Sequence, residues 1–162
     1  MKQKNLFLMV GVPGSGKSTW IQQRFNPETD AWCSRDKVRF SLVAEDEEYF
    51  SKETLVVKTW HEEIRQAIRN DKIKNIYIDA THTTKSARTK VLNALRADLK
   101  NCDVIAVVLN TPLATCIHQN EQRQGREVVP RSAIHRMNTF FVYPSKTEYN
   151  YKDIIFVKKG EK

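Results

Sequence analysis

Gly11-Val12-Pro13-Gly14-Ser15-Gly16-Lys17-Ser18 fits the pattern G-x-x-x-x-G-K-[ST] without a mismatch, and the rest of the chain is read outward from it. The apolar run at residues 5–10 ends in this loop and reads as a buried strand, while residues 17–24 read as a helix. Glycines let the backbone curl until successive N–H groups point inward at a polyphosphate. The helix that follows offers its positive N-terminal end to the same anion. Lys17 is expected to reach the β- and γ-phosphates and the Ser18 hydroxyl to ligate Mg²⁺. Gly14, Ser15, Gly16 and Thr19 complete the expected nucleotide-binding set. A chance glycine turn would not combine this spacing with a strand before it and a helix after it. The implied ligands are ATP and Mg²⁺.

Beyond the loop, strands and helices alternate without repeats or a low-complexity linker. Further strands are predicted at residues 30–34, 73–79, 104–109 and 153–157, and helices at 52–70, 86–100, 113–123 and 130–140. Val57, Trp60, Ile64 and Ile68 recur at helical spacing, as do Val91, Leu92, Leu95 and Leu99. Pro130 suits the first turn of a helix. Such alternation calls for an α/β fold: a three-layer P-loop architecture with a central parallel sheet, here with a helical lid at about residues 113–131. Ligands bind such sheets at the carboxyl ends of the strands. The basic residues from Lys158 onward read as a solvated tail.

The chain has 162 residues, enough for one domain over 1–162 with a core of its own. Its hydrophobic fraction of 40% and charged fraction of 28% are those of a globular protein, and no apolar run is long enough to cross a bilayer. The basic start, followed by only a short apolar stretch and then a Gly-rich loop, does not fit a signal peptide, so a cytoplasmic location is expected. Cys33, Cys102 and Cys116 show no C-x-x-C pair, and His61, His82, His118 and His135 show no metal-ligand spacing. The net charge of +8 favours a polyanionic partner such as nucleic acid, although basic charge also serves solubility alone. Trp20, Trp32 and Trp60 read as core, and Glu45-Asp46-Glu47-Glu48 as a solvated loop.

The residues after each strand separate the kinds of P-loop protein. The strand at 73–79 ends Ile-Asp-Ala-Thr-His, without the Asp-Glu of a hydrolytic motor, although Asp79 could still hold a metal-bound water. After the second strand comes Ser34-Arg35-Asp36-Lys37-Val38-Arg39. An aspartate there can accept the proton of an attacking hydroxyl, and Arg39 can neutralise an acceptor phosphate. The competing reading is that Ser34 or Asp36 merely caps a helix beginning at Lys37. Arg88 either points over the sheet edge toward substrate or covers a helix end. Asn120, Arg123 and Arg126 precede Val128-Val129-Pro130, as in a mobile lid carrying guanidinium groups to the transferring phosphate, or as on an exposed helix face.

Taken together, G-x-P-G-S-G-K-S-T-W, the segment Arg35-Asp36-x-x-Arg39, the D-x-T-x(6)-R of Asp79, Thr81 and Arg88, and N-x-x-R-x-G-R-x-V-V-P from Asn120 to Pro130 resemble the 5′-hydroxyl polynucleotide kinase family, in particular the kinase domain of phage polynucleotide kinases. The match runs from Leu6 to about Val157. It implies that Lys17 and Ser18 serve ATP and Mg²⁺, that Asp36 is the general base, and that Arg39 contacts the phosphate beside the acceptor hydroxyl. By the same resemblance Arg35, Asp79, Thr81 and Arg88 belong to the acceptor site. Arg123 is then the lid arginine, with Arg126 as the alternative. His82 and Gln119 depart from the family, which often carries Asn and a basic residue at those places. No phosphatase or ligase module is expected. The implied partner is a 5′-hydroxyl end of RNA or DNA. Two rivals are a small-molecule kinase on the same fold, nucleoside or zeta-toxin-like, and a nucleotide-binding switch without an acceptor.

Overall fold

In a computed structural model describing residues 3–158, the apolar run before the P-loop forms strand β1 (Lys4–Val10) and lies at the centre of the sheet. The remaining elements are α1 (Lys17–Gln22), β2 (Asp30–Ser34), α2 (Arg35–Leu42), α3 (Glu53–Arg69), β3 (Asn75–Asp79), α4 (Lys85–Ala94), β4 (Cys102–Asn110), α5 (Leu113–Glu121), α6 (Arg131–Thr139) and β5 (Asp153–Lys158). The expected basic tail beyond Lys158 lies outside the described residues. All pairings are parallel, in the order β2-β3-β1-β4-β5. Leu8 of β1 stands between Ile78 of β3 and Ala106 of β4. This is the expected central parallel sheet with flanking helices.

Period-2 alternation divides β1 between two cores. Leu6 and Leu8 face Trp60 and Ile64 of α3 and Leu92 and Leu95 beyond them, while Phe7 and Met9 face Trp20 and Ile21 of α1. Both faces of the strand are therefore buried, which is why it reads as an unbroken apolar run. A third, smaller cluster of Val12, Cys116 and Ile134 seats α5 and α6 against the P-loop. Among the described residues no helix is long and apolar enough to cross a membrane.

Several boundaries differ from the expectation for local reasons. Helix α2 begins at Arg35, not Lys37, because the Ser34 side chain accepts the Lys37 N–H at 3.3 Å and caps the helix two positions earlier. Strand β3 begins at Asn75 because Asn70 to Ile73 forms a turn whose carbonyls accept the buried Lys4 ammonium at 2.5 and 2.6 Å. Helix α4 stops at Ala94; Asp98, in the turn beyond it, is drawn toward α3 by Arg65 and Arg69.

Candidate active site

The P-loop is held open from beneath by α5. Gly14 has φ +81°, and a Cβ there would lie 2.2 Å from the Cys116 carbonyl oxygen, so helix backbone occupies the space a side chain needs. Gln119 Nε2 donates to the Gly14 carbonyl at 2.5 Å, and Thr111 Oγ1 donates to the Ser15 carbonyl at 2.7 Å. Gly16, at φ +102°, turns the chain into α1. Lys17 lies buried beneath the loop and donates to the Gly11 and Val12 carbonyls at 2.9 and 3.1 Å. Burial pulls its pKa down to about 8, against the attraction of Asp79 and Asp36 and with the help of Arg123. A dehydrated ammonium with only carbonyls to donate to, under a backbone cradle, fits a polyphosphate. Ser18 and Thr19 are exposed on the cleft above it.

The Ser34 cap relieves Asp36 of that duty. Asp36 sits in the first turn of α2 with its side chain 59% exposed. Its Oδ1 accepts from Arg39 at 2.8 Å and from the Tyr49 hydroxyl at 3.3 Å. Its Oδ2 accepts no hydrogen bond from the described residues. Arg39 is only 3% exposed and its guanidinium is fully engaged. Glu53, at the start of α3, takes the Nε and Nη2 donors, and Asp36 and Tyr49 take Nη1. The ring of Tyr49 lies under the Arg39 guanidinium at 4.6 Å and carries Phe50 edge-on at 4.8 Å. Tyr49, Phe50 and Glu53 were not read from the sequence; Glu53 is fourteen residues from Arg39, and no local spacing announces the pair.

At the end of β3, Asp79 Oδ2 accepts the indole N–H of Trp32 at 3.0 Å, and the Thr81 carbonyl accepts the Gly11 N–H at 2.9 Å. Trp32, read as core, packs against the core cluster around Trp20 and Tyr77 but is only half-buried and also lines the cleft, because β2 is an edge strand. His82 adopts φ +45° and is held on three sides. Its Nδ1 meets the Met9 carbonyl at 2.8 Å, its ring stacks on Trp60, and its carbonyl accepts Arg88 Nη1 at 2.8 Å. Burial pushes its pKa down to about 3, so the ring is neutral. Arg88 itself is fully buried. It forms a two-pronged pair with Glu148 at 2.8 and 2.9 Å and does not line the cleft, unlike the other candidate acceptor residues. Neither alternative describes its placement: Arg88 is buried within α4 against Glu148, and no residue of α4 lines the cleft.

The two lid arginines part company. Arg123 lines the cleft close enough to lower the pKa of Lys17, and donates no hydrogen bond to the described residues. Arg126 lies over the Phe40 ring at 4.5 Å and donates to the Phe40 and Val43 carbonyls at 2.8 and 2.5 Å, fastening the lid to the end of α2.

These parts face one cleft of about 950 Å³ bounded by the P-loop, the ends of β2 and β3, the start of α2 and the lid. Six basic side chains line it against three acidic ones, so it favours an anionic occupant. A smaller cavity of about 190 Å³, lined by Thr111, Asn138 and Tyr143 among others, contains none of the candidate residues. Among the described residues no group of three His, Cys, Asp or Glu is placed to hold a metal ion.

A family model described as AAA domain matches residues 6–144. The chain belongs to the AAA domain family. No curated protein matches it significantly by sequence. Among solved structures, a chain of the Pnkp1/Rnl/Hen1 RNA repair complex superposes with TM-score 0.72 at 21% identity, covering 94% of this chain and 48% of that one. A fungal RNA kinase gives 0.67 at 12% identity, over 100% of this chain and 77% of that one. A gluconokinase from Sinorhizobium meliloti 1021 gives 0.59 at 11%, over 100% and 86%. Likeness at these identities establishes the fold: this AAA domain is a P-loop domain of the kinase type.

Proposed function

We propose that this domain transfers the γ-phosphoryl group of ATP to a 5′-hydroxyl end of RNA or DNA. The observation that carries this reading is Asp36, whose unengaged Oδ2 opens into the same cleft as the P-loop. The acceptor hydroxyl attacks the γ-phosphorus in line, the bond to the β,γ-bridging oxygen breaks, and the hydroxyl proton passes to Asp36 Oδ2. ADP leaves with the bridging oxygen. Arg39 and Tyr49 hold the carboxylate by its other oxygen. Lys17 and Arg123 offset charge on the transferring group; catalysis of this kind rests mainly on positioning and electrostatics. Ser18 would hold Mg²⁺, which neutralises the phosphate oxygens when bound.

The acceptor class draws support from the basic cleft, the net charge of +8 and the sequence resemblance. The gluconokinase likeness keeps the fold compatible with small acceptors as well. The test of the chemistry is Asp36→Asn. Loss of a general base lowers turnover by roughly 10²–10⁴-fold. ATP affinity, measured by calorimetry, should stay near that of the parent. Undiminished turnover in that variant would remove Asp36 from the mechanism.

A further inference from the structure

The segment at residues 122–130 is held at its base and at its tip. Asn120, only 1% exposed, closes the base: its amide donates to the Val129 carbonyl at 2.7 Å and accepts the Val129 N–H at 2.9 Å. The tip is a tight turn at Gly125–Glu127, with Gly125 at φ +61°. From that turn Arg126 reaches the last turn of α2. Carbonyls at a helix C-terminus have no partners within the helix. In α2 the Leu42 carbonyl accepts Lys52 Nζ at 2.9 Å, and those of Phe40 and Val43 accept the two Nη groups of Arg126. The guanidinium also lies over the Phe40 ring, at the negative end of the helix dipole.

Arg123, three residues earlier, has no such hold. It donates no hydrogen bond to the described residues, yet it lines the cleft close enough to Lys17 for the two charges to oppose each other. Without an anion between them, that repulsion pushes the lid away from the P-loop. The contacts of Arg126 resist it. We infer that Arg126 is a positioning residue, a latch that docks the lid on α2 and holds Arg123 beside the P-loop before nucleotide arrives. The positive charge of the site is then assembled in the free protein, and nucleotide binding need not supply the energy of closing the lid. From the kinase reading above, the latch takes only that a nucleotide occupies the P-loop; it does not depend on the acceptor.

The test measures the distance between spin labels on the exposed positions Gln124→Cys, in the lid, and Glu45→Cys, beyond α2, with the half-buried Cys102 changed to Ser. The free parent should show one short distance. Arg126→Ala should add a longer one, the ratio of lifted to docked lid rising by about 10- to 100-fold as hydrogen bonds from a charged donor are lost. ADP should draw that population back to the short distance, because the anion removes the repulsion. ADP affinity, by calorimetry, should fall by about 3- to 10-fold, since only the docked fraction is ready to bind. Arg126→Lys, which keeps the charge without the planar fork, should lie between. Phe40→Leu should lift the lid in the parent and add little to Arg126→Ala, as expected for two halves of one contact. Circular dichroism separates a lifted lid from an unfolded chain. Weaker ADP binding with the label distance unchanged would place Arg126 on the nucleotide and overturn the latch. Additive effects of Phe40→Leu and Arg126→Ala would overturn it too. If the lid lifts as expected but no acceptor is phosphorylated, the kinase reading fails and the latch stands.

Discussion

At the scale of the residue, Lys17 carries the clearest titration. Its pKa is lowered to about 8 by burial in the free protein, and a bound polyphosphate restores the charged form. The bound pKa is therefore the higher one, and ATP binding takes up a proton in the interval above pH 8. Affinity should be flat below that pH and weaken above it, by up to about tenfold per pH unit while the free lysine is neutral and the bound one charged. Calorimetry in buffers of different ionisation enthalpy checks this; proton release on binding would contradict it. The P-loop residues were legible because each type answers to a local backbone or charge demand. Asp36 was legible as a choice between cap and base; Ser34 takes the cap, and the base role is the one proposed above. What the sequence could not show was that Arg39 is saturated, since its partners Tyr49 and Glu53 lie ten and fourteen residues away in a loop and on the next helix.

Between elements, a few contacts transmit structure to the cleft. Helix α5 supports the P-loop through the close approach of Cys116 to Gly14. Gly14→Ala should displace that backbone and strain a positive φ, costing about 1–3 kcal/mol or more, and should weaken ATP binding alongside stability. Denaturant titration and calorimetry together would detect both losses. The Arg88–Glu148 pair ties α4 to the segment before β5 and, through the His82 carbonyl, supports the turn that follows Thr81. Glu148→Ala leaves a buried guanidinium without its carboxylate and should cost about 3–5 kcal/mol of unfolding free energy, read by urea titration. A change below about 0.5 kcal/mol would mean the pair is solvated. The motif spacing placed Arg88 but not its direction. That depends on Glu148, sixty residues on, which no local pattern links to it.

For the molecule as a whole, the five strands of the parallel sheet follow from a simple alternation of apolar runs and helical stripes, and their places were readable with errors of a few residues at the ends; their order, β2-β3-β1-β4-β5, was not. Trp32 packs against the core as read, but its second face lines the cleft, because edge position is a property of sheet order, not of local composition. The positive charge, too, acts at this scale. Binding of a single-stranded acceptor that neutralises Z phosphates should weaken with salt at a slope of about −0.7Z, whereas a small acceptor would give a shallow slope. The most direct measurement is transfer of label from γ-labelled ATP, with 5′-hydroxyl oligonucleotides, nucleosides and gluconate offered in parallel. Label should appear on the oligonucleotide 5′ ends, and be lost in Asp36→Asn. Label on the small molecules alone, or free phosphate with no labelled acceptor, would contradict a polynucleotide kinase.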